Sequence, residues 1–90
     1  MDKKLKQLLV NGLKARGATR IDLFGSYARG EQTKKSDIDV IVKFKSLPTL
    51  FEYVRMRREL KHELGVSVDL LTEDAISPFI KPHIQRVRLL

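Results

Sequence analysis

Cysteine and tryptophan are missing from this 90-residue chain, and proline occurs three times. Without cysteine there is neither a disulfide framework nor a thiolate metal site. Aromatic residues make up 7%, and no stacking platform or RNA-binding motif is recognisable among them. No apolar run approaches the roughly 18 residues that cross a bilayer. The start, Met1-Asp2-Lys3-Lys4-Leu5, lacks the continuous apolar stretch of a signal peptide. These absences point to a cytoplasmic protein with no membrane association. Acids are the minority charge: 11 Asp and Glu against 18 Lys and Arg leave a net charge of +7. That excess favours an anionic partner, although a solubilising basic surface accounts for it equally well.

No repeat, low-complexity tract or Pro/Gly/Ser linker divides the chain, so residues 1–90 are read as one domain. A chain this short buries only about 60–65% of its unfolded surface, which leaves room for one modest core. Leu5, Leu8, Leu9 and Leu13 recur at helical spacing and predict a helix over 2–16. Thr19 to Phe24 reads as a strand that Gly25 ends, and Ser26 is expected to cap a short helix through Arg29. A second strand runs from Asp37 to Phe44. Ile38, Val40, Val42 and Phe44 lie on one of its faces, and Asp37, Asp39, Ile41 and Lys43 on the other. Pro48 and Thr49 open a helix to about residue 64, with Leu50, Phe51, Val54, Leu60 and Leu64 as its buried stripe and Gly65 as its stop. Val66 to Leu71 is a third strand. Short helical turns are expected over Asp74–Ile80 and His83–Val87. The order α-β-α-β-α-β predicts an α+β fold, a small mixed sheet with helices packed mainly on one face.

Chemistry concentrates in two segments, Leu23-Phe24-Gly25-Ser26 and Ser36-Asp37-Ile38-Asp39. Glycine lets a backbone approach phosphate without a Cβ in the way, and a helix start aims amides at it. Aspartates at i and i+2 on a strand point the same way, with about 6–7 Å between their Cα atoms. Two such carboxylates suit magnesium, which prefers oxygen ligands, and they match the two-metal arrangement of phosphoryl and nucleotidyl transfer. Asp69 is the candidate third acid, because Val66, Val68 and Leu70 share one face of the third strand and leave it on the other. Three converging acids repel one another, which is itself a reason to expect metal. Arg29 and the Lys34-Lys35 pair between the two segments, and Ser36 at the head of the second, are further candidates for holding a nucleotide.

The run Gly25-Ser26, ten intervening residues, then Asp37-Ile38-Asp39 resembles the signature of the polymerase-β-like nucleotidyltransferases. Leu-Phe-Gly-Ser-x-Ala-Arg-Gly, Ser-Asp-Ile-Asp-Val and Gly-x-x-Val-Asp-Leu-Leu-Thr make the chain most similar to the minimal nucleotidyltransferases, the MNT antitoxin group. The resemblance covers nearly the whole chain. It implies transfer of a nucleoside monophosphate from a triphosphate, usually ATP, to a hydroxyl, with two magnesium ions and release of pyrophosphate. It assigns Gly25 and Ser26 to the triphosphate and Asp37 and Asp39 to both metals. Asp69 would complete the metal site and act as general base. Larger relatives carry an additional acceptor-binding domain, which this sequence does not contain. The resemblance also implies a helical HEPN toxin as partner, modified by AMP on a tyrosine. The alternative is a non-catalytic antitoxin that neutralises a HEPN RNase by binding alone.

The remaining candidates have plain readings beside the functional ones. Arg55, Arg57, Arg58 and Lys61 could grip RNA or an acidic partner, or form a solvated helix face. Asp22 is an alternative third acid or an edge-strand charge. Asp74 reads as a helix cap and His62 and His83 as surface or partly buried residues. Tyr27 and Tyr53 could contact the adenine or accept a nucleotide but read better as packing residues. A nucleic-acid-binding module ranks behind the enzyme and the passive binder. Val87, Leu89 and Leu90 are apolar residues left over for a homodimer or a hetero-oligomer.

Overall fold

The computed structural model describes residues 1–90. Helix α1 (Lys3–Ala15) leads into strand β1 (Ala18–Phe24), the five-residue helix α2 (Gly25–Arg29) and strand β2 (Ile38–Phe44). Helix α3 (Leu50–Leu64) crosses over to β3 (Val68–Thr72), and the chain ends in 3-10 turns and a two-residue strand β4 (Val87–Arg88). The sheet order is β3-β2-β1-β4, with β2 and β3 parallel and the other pairs antiparallel. A crossover through α3 is what a parallel pair requires. The sheet is therefore mixed, as expected.

Helices α1 and α3 cover one face. Leu9 and Leu13 of α1 and Met56 and Leu60 of α3 pack on Ile21, Leu23, Ile38, Val40, Val42, Val68 and Leu70 in one contiguous core. The two helices approach closely at Gly12, where a Cβ would stand 3.0 Å from Leu60. Arg16 ties them further, its guanidinium lying 3.1 Å from both Glu59 and Glu63. Thr49 starts α3 through a capping box: its hydroxyl accepts from the Glu52 amide, and the Glu52 carboxylate accepts from the Thr49 amide.

Four expectations about elements need correction. The buried stripe of α3 is Tyr53, Met56, Leu60 and Leu64, whereas Leu50, Phe51 and Val54 face solvent. The helix carries apolar residues on both sides, so periodicity alone chose the wrong phase at its start. Ser26 does not cap α2, because Phe24 holds the cap position and Gly25 is already the first helical residue. Asp74 lies within the turn Glu73–Ala75, and no side chain caps that turn. Finally, the helical turn expected at His83–Val87 does not form: His83 closes the 3-10 turn Lys81–His83, and Val87 already belongs to β4. Leu89 donates to the Ile21 carbonyl at 2.8 Å, and Leu89 and Leu90 pack against the core.

Candidate active site

Strand alternation sets the site. On β2 the side chains of Ile38, Val40 and Val42 are buried under the helices, so Asp39 turns to the opposite, open face. Asp37 lies two residues earlier, just ahead of the strand. On β3, Val68 and Leu70 are buried and Asp69 is exposed. The parallel register sets Asp39 directly beside Asp69, on strands about 4.8 Å apart. Across β1, Asp39 faces Phe24, the residue before Gly25.

The acids sense one another. Burial holds the Asp39 carboxyl above the usual carboxylate range, and the charges of Asp69 and Asp37 add to the effect while Arg29 opposes it. Asp37 and Asp69 are exposed, so water screens their charge. The three carboxylates do not close into a ready-made set of metal ligands. Mutual repulsion, which Arg29 opposes at Asp39, is the physical reason to expect them apart.

Gly25 has φ +70°, and a Cβ added there would overlap the Asp39 carboxylate and lie 3.0 Å from its Cγ. The backbone turn and the carboxylate thus occupy one another's space, and only glycine permits both. Ser26 follows, half-buried, in the first turn of α2. With just five residues, α2 has a weak dipole, so any anion held here would rely on individual amides and the Ser26 hydroxyl. Arg29 is exposed and pairs with Glu31 at 3.3 Å. The Ser36 hydroxyl accepts from the Thr33 amide at 2.8 Å, which binds the loop ahead of β2. Lys34 and Lys35 are exposed on that loop.

Asp22, the alternative third acid, plays a different part. It stands on an internal strand, 1% exposed, opposite Ile41 rather than Asp39. Arg86 reaches its Oδ2 at 3.0 Å and Arg20 at 3.2 Å, so it is a buried ion-pair partner and not an edge charge. Its Oδ1 has no hydrogen-bond partner.

Residues 4–89 match the nucleotidyltransferase domain. This chain belongs to the nucleotidyltransferase family. A candidate protein adenylyltransferase of Methanocaldococcus jannaschii is 41% identical over 81 residues, which is 90% of this nucleotidyltransferase and 87% of the relative. The protein adenylyltransferase MntA of Thermococcus cleftensis is 34% identical over 70 residues, covering 78% and 71% of the two chains. Among solved structures, a chain of a toxin–antitoxin complex with AMP-PNP superposes with a TM-score of 0.81 at 24% identity, over 94% of this nucleotidyltransferase and 72% of that chain. A chain of the complex between tri-AMPylated Shewanella oneidensis HEPN toxin and MNT antitoxin gives 0.77 at 21% identity, covering 100% and 72%. At these identities the likeness establishes the shared fold.

What sequence reasoning missed around the site is Arg86. Its guanidinium bridges Asp22 and Glu73, at 3.0 and 2.9 Å. The Asp22 contact joins residues 64 apart in the chain, and no local spacing announces it.

Proposed function

We propose that this nucleotidyltransferase moves AMP from ATP to a hydroxyl acceptor, a tyrosine on a HEPN-type helical partner, and so acts as an antitoxin. One observation carries the reading: Asp39 lies beside Asp69 in register, with its carboxylate packed on Gly25 at the start of α2. The names of the relatives support protein adenylylation as the reaction class. The neighbouring complexes support a HEPN toxin as the kind of partner.

Roles follow from the chemistry of each group. Gly25 and Ser26 hold the triphosphate through the turn's amides and the hydroxyl. Arg29 offsets negative charge beside Asp39, and Ser36 keeps the preceding loop in place next to the nucleotide. The carboxylate oxygens of Asp37, Asp39 and Asp69 are the hard donors that magnesium prefers. The repulsion that raises Asp39 is what a divalent cation would relieve. When bound, magnesium neutralises the triphosphate and orients its leaving group. The acceptor oxygen forms a bond to the α-phosphorus, its proton passes to Asp69, and the bond to pyrophosphate breaks. Residues 1–90 act as a single catalytic domain, in the cytoplasm where ATP is available. No helix is long and apolar enough to cross a membrane.

Incubation with α-labelled ATP, magnesium and the HEPN partner tests the reading. Label should appear on the partner with the wild type and disappear with chelator or with Asp37→Ala/Asp39→Ala. Equal labelling by wild type and variant, or none by either, overturns it. Tight association that leaves the partner unlabelled favours the passive binder.

A further inference from the structure

Helix α3 turns an uncovered flank outward beside the edge strand β3, and its two halves differ in chemistry. In the first half Leu50 is 75%, Phe51 85% and Val54 47% exposed. A groove of about 380 Å³ runs there between α3 and β3, lined by Leu47, Leu50, Tyr53, Leu70, Leu71 and Ala75. In the second half, a groove of about 250 Å³ is lined by Val54, Arg57, Arg58 and Lys61 beside Ser67 and Val68. Residues 50, 54, 58 and 61 follow the spacing of one helix face. The flank therefore passes from apolar to basic along a single line.

The charge on this line is free to meet a partner. Every acid of α3 is engaged, Glu52 in the capping box and Glu59 and Glu63 on Arg16. Arg55, Arg58 and Lys61 form no ion pair. Pairing with an added strand is blocked, because the Tyr53 hydroxyl donates to the Leu70 carbonyl at 2.7 Å and Arg57 Nε donates to the Val68 carbonyl at 3.2 Å. An occupant must seat side chains in the groove. A second copy of the chain is disfavoured, since each brings a net charge of +7 and the same unpaired cations. Nucleic acid would leave Leu50 and Phe51 unused.

We propose that this groove docks an acidic amphipathic helix of a partner protein. Apolar side chains of that helix seat against Leu50, Phe51 and Val54, and carboxylates one to two turns along meet Arg58 and Lys61. Helix α3 lies on the side of the sheet opposite the face that carries Asp39 and Asp69, so most of the docking line stands apart from the acids. Leu71, at its apolar end, is the groove residue of β3 that shares their face. The choice of a HEPN-type protein as the partner to test rests on the function proposed above.

The experiment is calorimetric titration of this chain with the HEPN-type protein used in the labelling test. Leu50→Asp/Phe51→Asp and Arg58→Glu/Lys61→Glu should each weaken binding roughly 100-fold. Both variants should keep the wild-type unfolding midpoint and Mg-ATP affinity, while Asp37→Ala/Asp39→Ala should dock as wild type does. Wild-type affinity in both groove variants, or no association of the wild type, overturns the proposal. So does a wild-type dimer by light scattering that Leu50→Asp/Phe51→Asp turns into a monomer. Tight binding of a 20-nucleotide RNA that only the charge-reversed variant loses also overturns it. Docking that depends on the groove but adds no AMP sustains this proposal and defeats the enzymatic one.

Discussion

Gly25 and Asp39 form a pair in which each limits the other. The carboxylate fills the space that a side chain at position 25 would take, and the backbone there has φ +70°. Gly25→Ala must either push Asp39 aside or strain the turn. We expect a loss of about 1–3 kcal/mol in urea unfolding and at least roughly 100-fold in AMP transfer. Gly30→Ala has a similar φ but nothing within 4 Å of the added carbon, so it should cost about 1 kcal/mol and little activity. Asp39 gives a pH signature as well. Its folded carboxyl is raised by burial and then by Asp69 and Asp37, so the folded chain holds that proton more tightly than the unfolded chain. The associated stability is present below the ordinary aspartate range and is lost as pH rises through the elevated folded value. Asp39→Asn should therefore melt above wild type at pH 7 without divalent cations. The difference should vanish below about pH 4. Identical melting at pH 7 would contradict the assignment.

At the scale of elements, α3 is the instructive case. Its apolar residues fall on two sides, and the core takes Tyr53, Met56, Leu60 and Leu64 while Leu50, Phe51 and Val54 remain outside. Leu60 is 0% exposed, so Leu60→Ala should cost about 2–5 kcal/mol of unfolding free energy. Phe51→Ala, at 85% exposure, should stay within about 0.5 kcal/mol. Chemical denaturation of both variants measures the contrast, and a reversed order would mean that the helix packs in the other phase. Much of α3 was legible in advance. Pro48, Thr49 and Gly65 marked its ends because caps act through neighbouring backbone groups. Its buried face was not legible, because two apolar stripes of similar strength compete and only the position of the sheet selects one.

The whole molecule is closed by its tail. Past β3, the chain turns at Glu73–Ala75 and returns to lay β4 antiparallel to β1. Arg86 links Asp22 to Glu73, and Arg20 and Lys81 stand on the outer sides of the same acids. Removing Arg86 leaves a carboxylate that is 1% exposed with Arg20 as its remaining cation. Arg86→Ala should therefore cost about 2–3 kcal/mol in urea unfolding, and hydrogen exchange should quicken first at Leu89 and Leu90. Slow exchange there in the variant would show that packing alone holds the tail.

By itself, the order of residues determined whatever depends on near neighbours along the chain. Alternation set Asp39 and Asp69 against the apolar rows of their own strands, with Asp37 two residues ahead of Asp39, and the Gly25-Ser26 turn announced where β1 stops. Tertiary structure decided the rest: that β3 lies parallel to β2 and so puts Asp69 beside Asp39, that β4 exists, and that Asp22 is a buried ion-pair partner. Those facts depend on contacts between residues tens of positions apart. Their free energy comes from excluding water and matching charge in three dimensions, and neither leaves a period in the sequence.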